Sequence, residues 1–115
     1  MKQIDIVNIY MATETLADKP FSNEQHYQIY NFRKALRARV DFYRERESII
    51  NDKYAKFADE KGILRGKKYQ EYLKEKQELD NMEVDFTHER ITLPVVEGIT
   101  FKTMESLEMF IDFTL

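Results

Sequence analysis

The residues that could carry chemistry are few. The chain of 115 residues holds two histidines, His26 and His88, and no cysteine. Without a thiol there can be no disulfide, no thiolate nucleophile and no thiolate metal site. Neither histidine has a His, Cys or carboxylate partner at the H-x-x-x-H type of spacing that turns two ligands to one side of a helix. No G-x-S-x-G run is present, and three glycines are too few to line a phosphate cradle. Carboxylates are abundant but alternate with Lys and Arg, the pattern of an ion-paired, solvated helix face. The expectation is a chain with no catalytic centre, no metal and no cofactor.

One segment has unusual chemistry. Residues 33 to 46, RKALRARVDFYRER, place Arg33, Lys34, Arg37, Arg39, Arg44 and Arg46 against only Asp41 and Glu45, with Phe42 and Tyr43 interleaved. Guanidinium groups grip carboxylate or phosphate with two parallel hydrogen bonds and stack on rings. Arg33, Arg37, Arg39, Arg44 and Arg46 are therefore candidate contacts for an acidic protein partner or, less favoured, for a nucleic-acid backbone. The alternative is an ordinary solvated face, paired with Glu75, Glu78 and Asp80 further along the chain. A net charge of -3 lacks the basic balance usual in nucleic-acid binders.

These residues must be positioned by a long helix. Residues 22 to 61 contain no Pro and no Gly, and Ile29, Leu36, Tyr43, Ile50 and Phe57 recur every seven positions. Phe32, Val40 and Tyr54 widen the same stripe, and the aromatic set Tyr27, Tyr30, Phe32, Tyr43, Tyr54 and Phe57 reads as core rather than as a ligand groove. Ser22-Asn23-Glu24-Gln25 is a capping box, and Gly62 suits the residue after the helix, with Lys61 in its last turn. Gly62–Gly66 is a connection of the right length for antiparallel helices. Residues 67 to 82 form the second helix, with Tyr69, Tyr72, Leu73, Leu79 and Met82 inward.

The ends read as a small cap. Ile4 and Ile6 alternate in residues 2 to 7, which suits a strand. Asn8 then caps a helix over 9 to 17, ended by Pro20. Val84, Phe86 and His88 alternate, as do Ile91, Leu93 and Val95, with a break near Glu89-Arg90 and an edge or strand end at Pro94. A short strand over 99 to 101 and a last helix over 104 to 112, capped by Thr103, complete the chain. The expected fold is α+β and mostly α. Residues 1 to 115 form a single domain, in which a long antiparallel helical hairpin carries an α/β cap made from residues 1 to 21 and 83 to 115.

A helix so long presents more apolar stripe than a sixteen-residue partner covers (~1.5 Å of helix per residue). The termini reach the Tyr27–Leu36 end, so the middle of the stripe is expected to stay bare. Val40, Tyr43 and Glu47 are the candidate self-association residues. A two-fold contact there would bring Arg39 and Arg46 of one subunit near Glu45 and Glu47 of another. Apolar residues amount to 43 per cent, aromatic to 13 and charged to 34, enough for a core and for a helix with much surface. No stretch approaches the length of a membrane span and no apolar leader opens the chain. A soluble, intracellular protein follows as the expectation.

The order of pieces carries a resemblance. ATETLA precedes a charged helix ending in KYAKFADEKG; EYLKEKQEL then leads into MEVDF, ITLPVVEGITF and a terminal SLEMFID. This succession is similar to a group of small proteins of unknown function from tailed phages and prophages of Gram-positive bacteria. The resemblance implies a phage gene product of the bacterial cytoplasm, or a part of the virion. On that view the chain is a non-catalytic accessory protein acting by protein–protein contact. The rival readings are a host-directed inhibitor, such as an anti-defence protein using a charged helical face, and a small nucleic-acid-binding protein using Arg33–Arg46.

Overall fold

The computed structural model describes residues 1–115. Four helices and two strands follow in order: α1 (Gln3–Glu14), α2 (Asn23–Ala55), α3 (Gly66–Asp80), β1 (Ile91–Pro94), α4 (Phe101–Leu107) and β2 (Ile111–Thr114). The fold is α+β and mostly helical, with α2 as its spine and elements of both termini gathered on it. The longest dimension, 51 Å, is the length of α2 itself, since 33 residues at ~1.5 Å each give about that span.

α2 starts where its capping box dictates. The Ser22 hydroxyl accepts the Gln25 amide at 3.1 Å, and the Gln25 side-chain oxygen accepts the Ser22 amide at 2.9 Å. Ile29, Phe32, Leu36, Val40, Tyr43, Ile50 and Tyr54 are buried along one side of the helix. α2 ends at Ala55, short of the expected Lys61. The cause is Asp59, whose carboxylate accepts the amides of Lys61 and Ile63 and meets Arg65, closing a local turn in which Gly62 takes φ +78°. An aspartate bonding its own downstream backbone offers those amides an alternative to the helix ladder. Phe57, beyond the helix end, is exposed rather than part of the core, and so are Tyr27 and Tyr30 near the helix start.

Two buried clusters share the stripe. Val7, Tyr43, Ile50, Tyr54 and Leu79 form the smaller, with Ile4, Leu64 and Tyr72 against it. This is the hairpin of α2 and α3, placed as the seven-residue period requires. The larger contains Ile29, Phe32, Leu36 and Val40 from α2, enclosed by Ile6, Ile9, Tyr10 and Leu16 from the N-terminal segment and Ile91, Leu93, Leu107, Phe110 and Ile111 from the C-terminal one. Within α3, Leu79 is buried, while Tyr69 and, just beyond the helix, Met82 are exposed.

The terminal elements differ from their expected types. Residues 3 to 14 are one helix, not a strand followed by a helix, and Asn8 lies inside it. Its buried residues Gln3, Ile6, Val7, Ile9, Tyr10 and Thr13 recur at intervals of three and four, which is helical spacing. Two of the six are polar, so a search for apolar alternation finds Ile4 and Ile6 instead. Lys2 and Glu83 still form one antiparallel bridge, with the Val84 amide donating to the Met1 carbonyl at 2.7 Å. That bridge is all that stands where strands over 2 to 7 and 84 to 88 were expected. β1 forms at Ile91–Pro94 as read, but residues 99 to 101 are not a strand. Helix α4 begins at Phe101, capped by Thr100 rather than Thr103, and the chain then extends into β2 instead of continuing as helix to residue 112. β2 lies parallel to β1 in the register Ile91–Ile111 to Pro94–Thr114, and α4 is the crossover that a parallel pair needs. Arg90 secures the end of this unit. It grips Asp112 with two hydrogen bonds, of 3.0 and 2.6 Å, and donates to the carbonyls of Glu108 and Met109.

The middle of the α2 stripe is covered within the chain. Val40 is fully buried and Tyr43 nearly so, because α1 runs along the stretch N-terminal to Tyr43 that α3 does not reach, and Val7 of α1 and Leu79 of α3 both join Tyr43's cluster. The Gln3 side chain, itself buried, donates to the mid-helix carbonyl of Arg39 at 2.6 Å, and the Gln3 amide donates to Met82 at 2.8 Å. The bare central patch that motivated self-association through Val40 and Tyr43 is therefore absent.

Two outcomes test this packing. Ile50→Ala should lower stability by ~2–5 kcal/mol, the range for truncating a buried branched aliphatic side chain, as measured by urea unfolding. Val40→Asp should unfold the protein, since it buries a charge inside one chain; a folded Val40→Asp protein would place Val40 at a surface instead.

Candidate functional site

The buried stripe divides the arginines between the two flanks of α2. At 3.6 residues per turn, positions 33, 37 and 44 share one flank and positions 39 and 46 the other.

On the first flank the arginines gather around Tyr10 of α1. The Arg33 guanidinium carbon lies 4.7 Å from the ring centroid and that of Arg44 5.7 Å, distances at which a cation is attracted to the ring face. Arg33 also donates to the Thr13 hydroxyl at 3.1 Å and pairs with Glu14 at 3.7 Å. The Thr13 hydroxyl in turn donates to the Tyr10 carbonyl. Arg37 sits beside the Tyr10 hydroxyl, which, with Asp41 and Tyr30 nearby, holds the guanidinium above its usual range. Arg37 and Arg44 are exposed, and neither has a carboxylate within ion-pair distance.

On the second flank the use is mainly structural. The Arg39 guanidinium lies 4.9 Å from the Phe86 ring centroid and donates to the Asp85 carbonyl at 2.9 Å, which ties the segment after α3 to the spine. Arg46 is exposed, and its charge adds to the groups that hold Glu75 below the usual carboxylate range, chief among them the hydrogen bond from Lys53.

The acids of α3 do not pair with these arginines, contrary to the solvated-face expectation. Lys53 takes Glu75 at 2.8 Å, Lys76 takes Glu47 and approaches Asp80, and Glu78 takes part in no ion pair. Three residues expected at a subunit contact thus have other places. Val40 is core, Glu47 accepts from Lys76, and the Tyr43 hydroxyl lies between the α2 and α3 networks, donating to Asp80 at 2.7 Å and accepting from Lys76 at 2.9 Å.

Tyr43, Lys76, Asp80 and Glu47 form a network of titratable side chains across the hairpin. Burial pushes the Tyr43 phenol up to about 12, with the Lys76 hydrogen bond opposing and the Asp80 bond assisting. Desolvation pulls the Lys76 ammonium down, but its bonds to Glu47 and Tyr43 outweigh that and hold it above its ordinary value. A phenol and an ammonium driven away from neutrality are poorly matched to proton transfer at neutral pH; they stabilise the hairpin instead. The histidines have apolar neighbours. His88 stacks parallel to Phe86 with centroids 6.4 Å apart and lies 5.0 Å from Phe32, while a His26 ring nitrogen is 2.9 Å from the Lys19 carbonyl. No three His, Cys, Asp or Glu side chains converge to hold a metal ion, and no helix is long and apolar enough to cross a membrane.

One surface has no counterpart in the sequence reading: an open groove of about 1000 Å³ between α1, α4 and β2, lined by Ile9, Phe101, Met104, Glu105, Ile111 and Phe113 among others. Ile9, Met104 and Glu105 are helical as expected, but Phe101 lies in a helix where a strand is expected and Ile111 in a strand where a helix is expected, so no pattern points to the groove. Comparison with known proteins places the chain in no family: no family model, no curated protein and no solved structure matches it.

The network has a measurable pH signature. An unperturbed tyrosine titrates near pH 10, and Tyr43 in the folded chain at about 12. A folded value above the unfolded one means that the stabilisation is whole below about pH 10 and is lost as the pH rises through about 12. Lys76, also held high, acts in the same direction. Urea unfolding of wild type and Tyr43→Phe across this window should show the wild type losing its advantage; parallel profiles would contradict the network.

Proposed function

We propose that the chain is a non-catalytic, phage-type accessory protein that works by protein–protein contact, as a virion or assembly component, and that the Arg37–Arg44 flank of α2 is its contact surface. One observation carries this reading. Two exposed guanidinium groups, unpaired with any carboxylate, are held in place around the buried Tyr10 ring, with the exposed Tyr30 beside Arg37. Met11, next to Tyr10 in sequence, and Tyr27, on α2 with Tyr30, are also exposed. Tyrosine, methionine and arginine are the types enriched at protein interfaces, and Tyr and Arg dominate their energetic centres. An arginine held in place by its own chain loses less freedom on binding than one that is mobile. The complementary surface is acidic.

The same guanidinium groups could grip phosphate, so a nucleic-acid backbone is the second reading, and a host-directed inhibitor would use the same face against an acidic target. The net charge of -3 favours a protein partner over nucleic acid.

The test is capture of partners from nuclease-treated lysate of the producing cells by wild type and by an Arg37→Glu/Arg44→Glu variant, with mass spectrometry of what is retained. The expected result is a stoichiometric acidic protein, held at least tenfold more weakly by the variant, a loss of about 1.4 kcal/mol or more, while both proteins melt alike. Copurified nucleic acid before nuclease treatment, with steep salt dependence, would replace the protein reading. Equal capture by both proteins would remove the flank from the function.

A further inference from the structure

The two-stranded sheet has two outer edges, and they are not alike. In the parallel ladder the Ile91 amide donates to the Phe110 carbonyl at 3.0 Å and the Val95 amide to the Thr114 carbonyl at 2.8 Å. This parity turns the backbone groups of Ile91, Leu93 and Val95 toward β2, and those of Thr92 and Pro94 outward. Pro94 has no N–H, so the outer edge of β1 lacks a donor there. On β2 the same parity turns the N–H and C=O groups of Ile111 and Phe113 outward, and neither residue has a backbone or side-chain hydrogen-bond partner for them; Ile111 is only 2% exposed, so the accessible part of this edge begins at Phe113.

The open edge of β2 faces the groove. Ile111, Asp112 and Phe113 all line it. Successive strand residues point to opposite faces, so a groove touching three in a row runs along the strand's edge rather than over one face. Phe101, Met104 and Met109 provide apolar walls, and Phe101 is 82% exposed. The rim is acidic: Asp5, Glu105, Glu108 and Asp112 border the groove, and no Lys, Arg or His lines it. Of these, Asp112 is neutralised by Arg90, and Asp5 accepts the Lys2 amide. Glu105 and Glu108 have no cationic partner.

We infer that this groove binds an extended peptide segment of another protein, one in which apolar residues alternate with Lys or Arg, by adding it as a third strand to the free edge of β2. The outward amide and carbonyl of Phe113 and the amide of Leu115 supply main-chain hydrogen bonds, the Phe101–Met104–Met109 wall takes the apolar side chains, and Glu105 and Glu108 select the basic ones. Strand addition to an exposed edge combines main-chain affinity with side-chain selectivity in this way. Charge decides against a second copy. Pairing two β2 edges across a two-fold axis would bring Glu105 and Glu108 of both chains together, and like charges so juxtaposed oppose association. The proposal stands on a different face of α1 from the arginine flank and does not depend on it.

A displayed library of random peptides selected against the full chain tests the assignment, followed by titration of the best selected peptide into isotopically labelled protein. The expected result is enrichment of Lys or Arg between alternating apolar residues, amide shifts centred on Phe113 and Leu115, and slowed hydrogen exchange at those two residues. Glu105→Lys/Glu108→Lys, two exposed positions that leave the core intact, should weaken the peptide at least tenfold without changing the melting temperature. Enrichment of acidic peptides, enrichment of none, or shifts centred elsewhere would overturn the assignment. So would concentration-dependent protection of the β2 amides without peptide, which would mean that a second copy occupies the edge.

Discussion

The structure depends on one constraint: the apolar stripe of α2 must be covered along its whole length by elements that are each much shorter than α2. A single amphipathic helix of that length has little stability of its own, because most helical stability in proteins comes from packing the apolar face. α3 covers the stretch from Tyr43 to Tyr54, and the C-terminal segment closes on the stretch from Ile29 to Leu36. α1 bridges them, with Val7 in one cluster and Ile6, Ile9 and Tyr10 in the other. The side chain of Gln3 is the polar counterpart of that bridge. It is buried and bonded to the Arg39 carbonyl, so it satisfies a group whose burial unpaired would be costly. Chain ends far apart in sequence thus meet on one helix.

Charge follows from the same arrangement. Lysines, compact cations on flexible stems, take the carboxylates across the α2–α3 hairpin, as Lys53 does with Glu75 and Lys76 with Glu47. Arginines, planar and weakly hydrated, lie over rings, as Arg33 does over Tyr10 and Arg39 over Phe86. The two cations are not strictly sorted, since Arg90 grips Asp112 and Lys68 lies 4.3 Å from the Phe57 ring centroid. The arrangement leaves one arginine flank exposed and lightly paired, while the acids Glu105 and Glu108 lie unpaired beside the β2 edge. A chain close to neutral overall therefore has two surfaces of opposite sign.

Much of the spine was legible. The Ser22–Gln25 capping box and the seven-residue period through Ile29, Leu36, Tyr43 and Ile50 report local physics, and both stand in the structure where the pattern puts them; the connection expected at Gly62–Gly66 instead runs over residues 56 to 65, with Gly66 the first residue of α3. Phe57 shows the limit. It keeps the period, yet Asp59 captures the following backbone and ends α2 at Ala55. The ends of the chain were less legible. α1 buries Gln3 and Thr13, so its helical period is only partly written in apolar residues. Ile111 and Phe113 lie in a segment whose spacing, with Leu107 and Phe110, suits a helix as well as a strand; short apolar runs carry both readings. The candidate contact residues were legible as a type, an arginine-rich segment, but not as an arrangement: which flank each arginine occupies is helical geometry, and which ring it meets depends on α1 and on Phe86.

The sequence by itself determined the long helix, its starting cap, the side of it that is buried and the hairpin with α3. These rest on interactions between residues close in the chain or on a period sustained for many turns. Tertiary structure decided the rest. Ile111–Thr114 becomes a strand because β1 offers it a parallel ladder and Arg90 holds Asp112 there; nothing within the segment requires it. Val40 and Tyr43 are interior because α1, which begins at Gln3, lies across them, a contact between residues more than thirty positions apart. A local pattern records which residues want to leave water, but not which distant segment will cover them, and that second fact separates a core position from an interface.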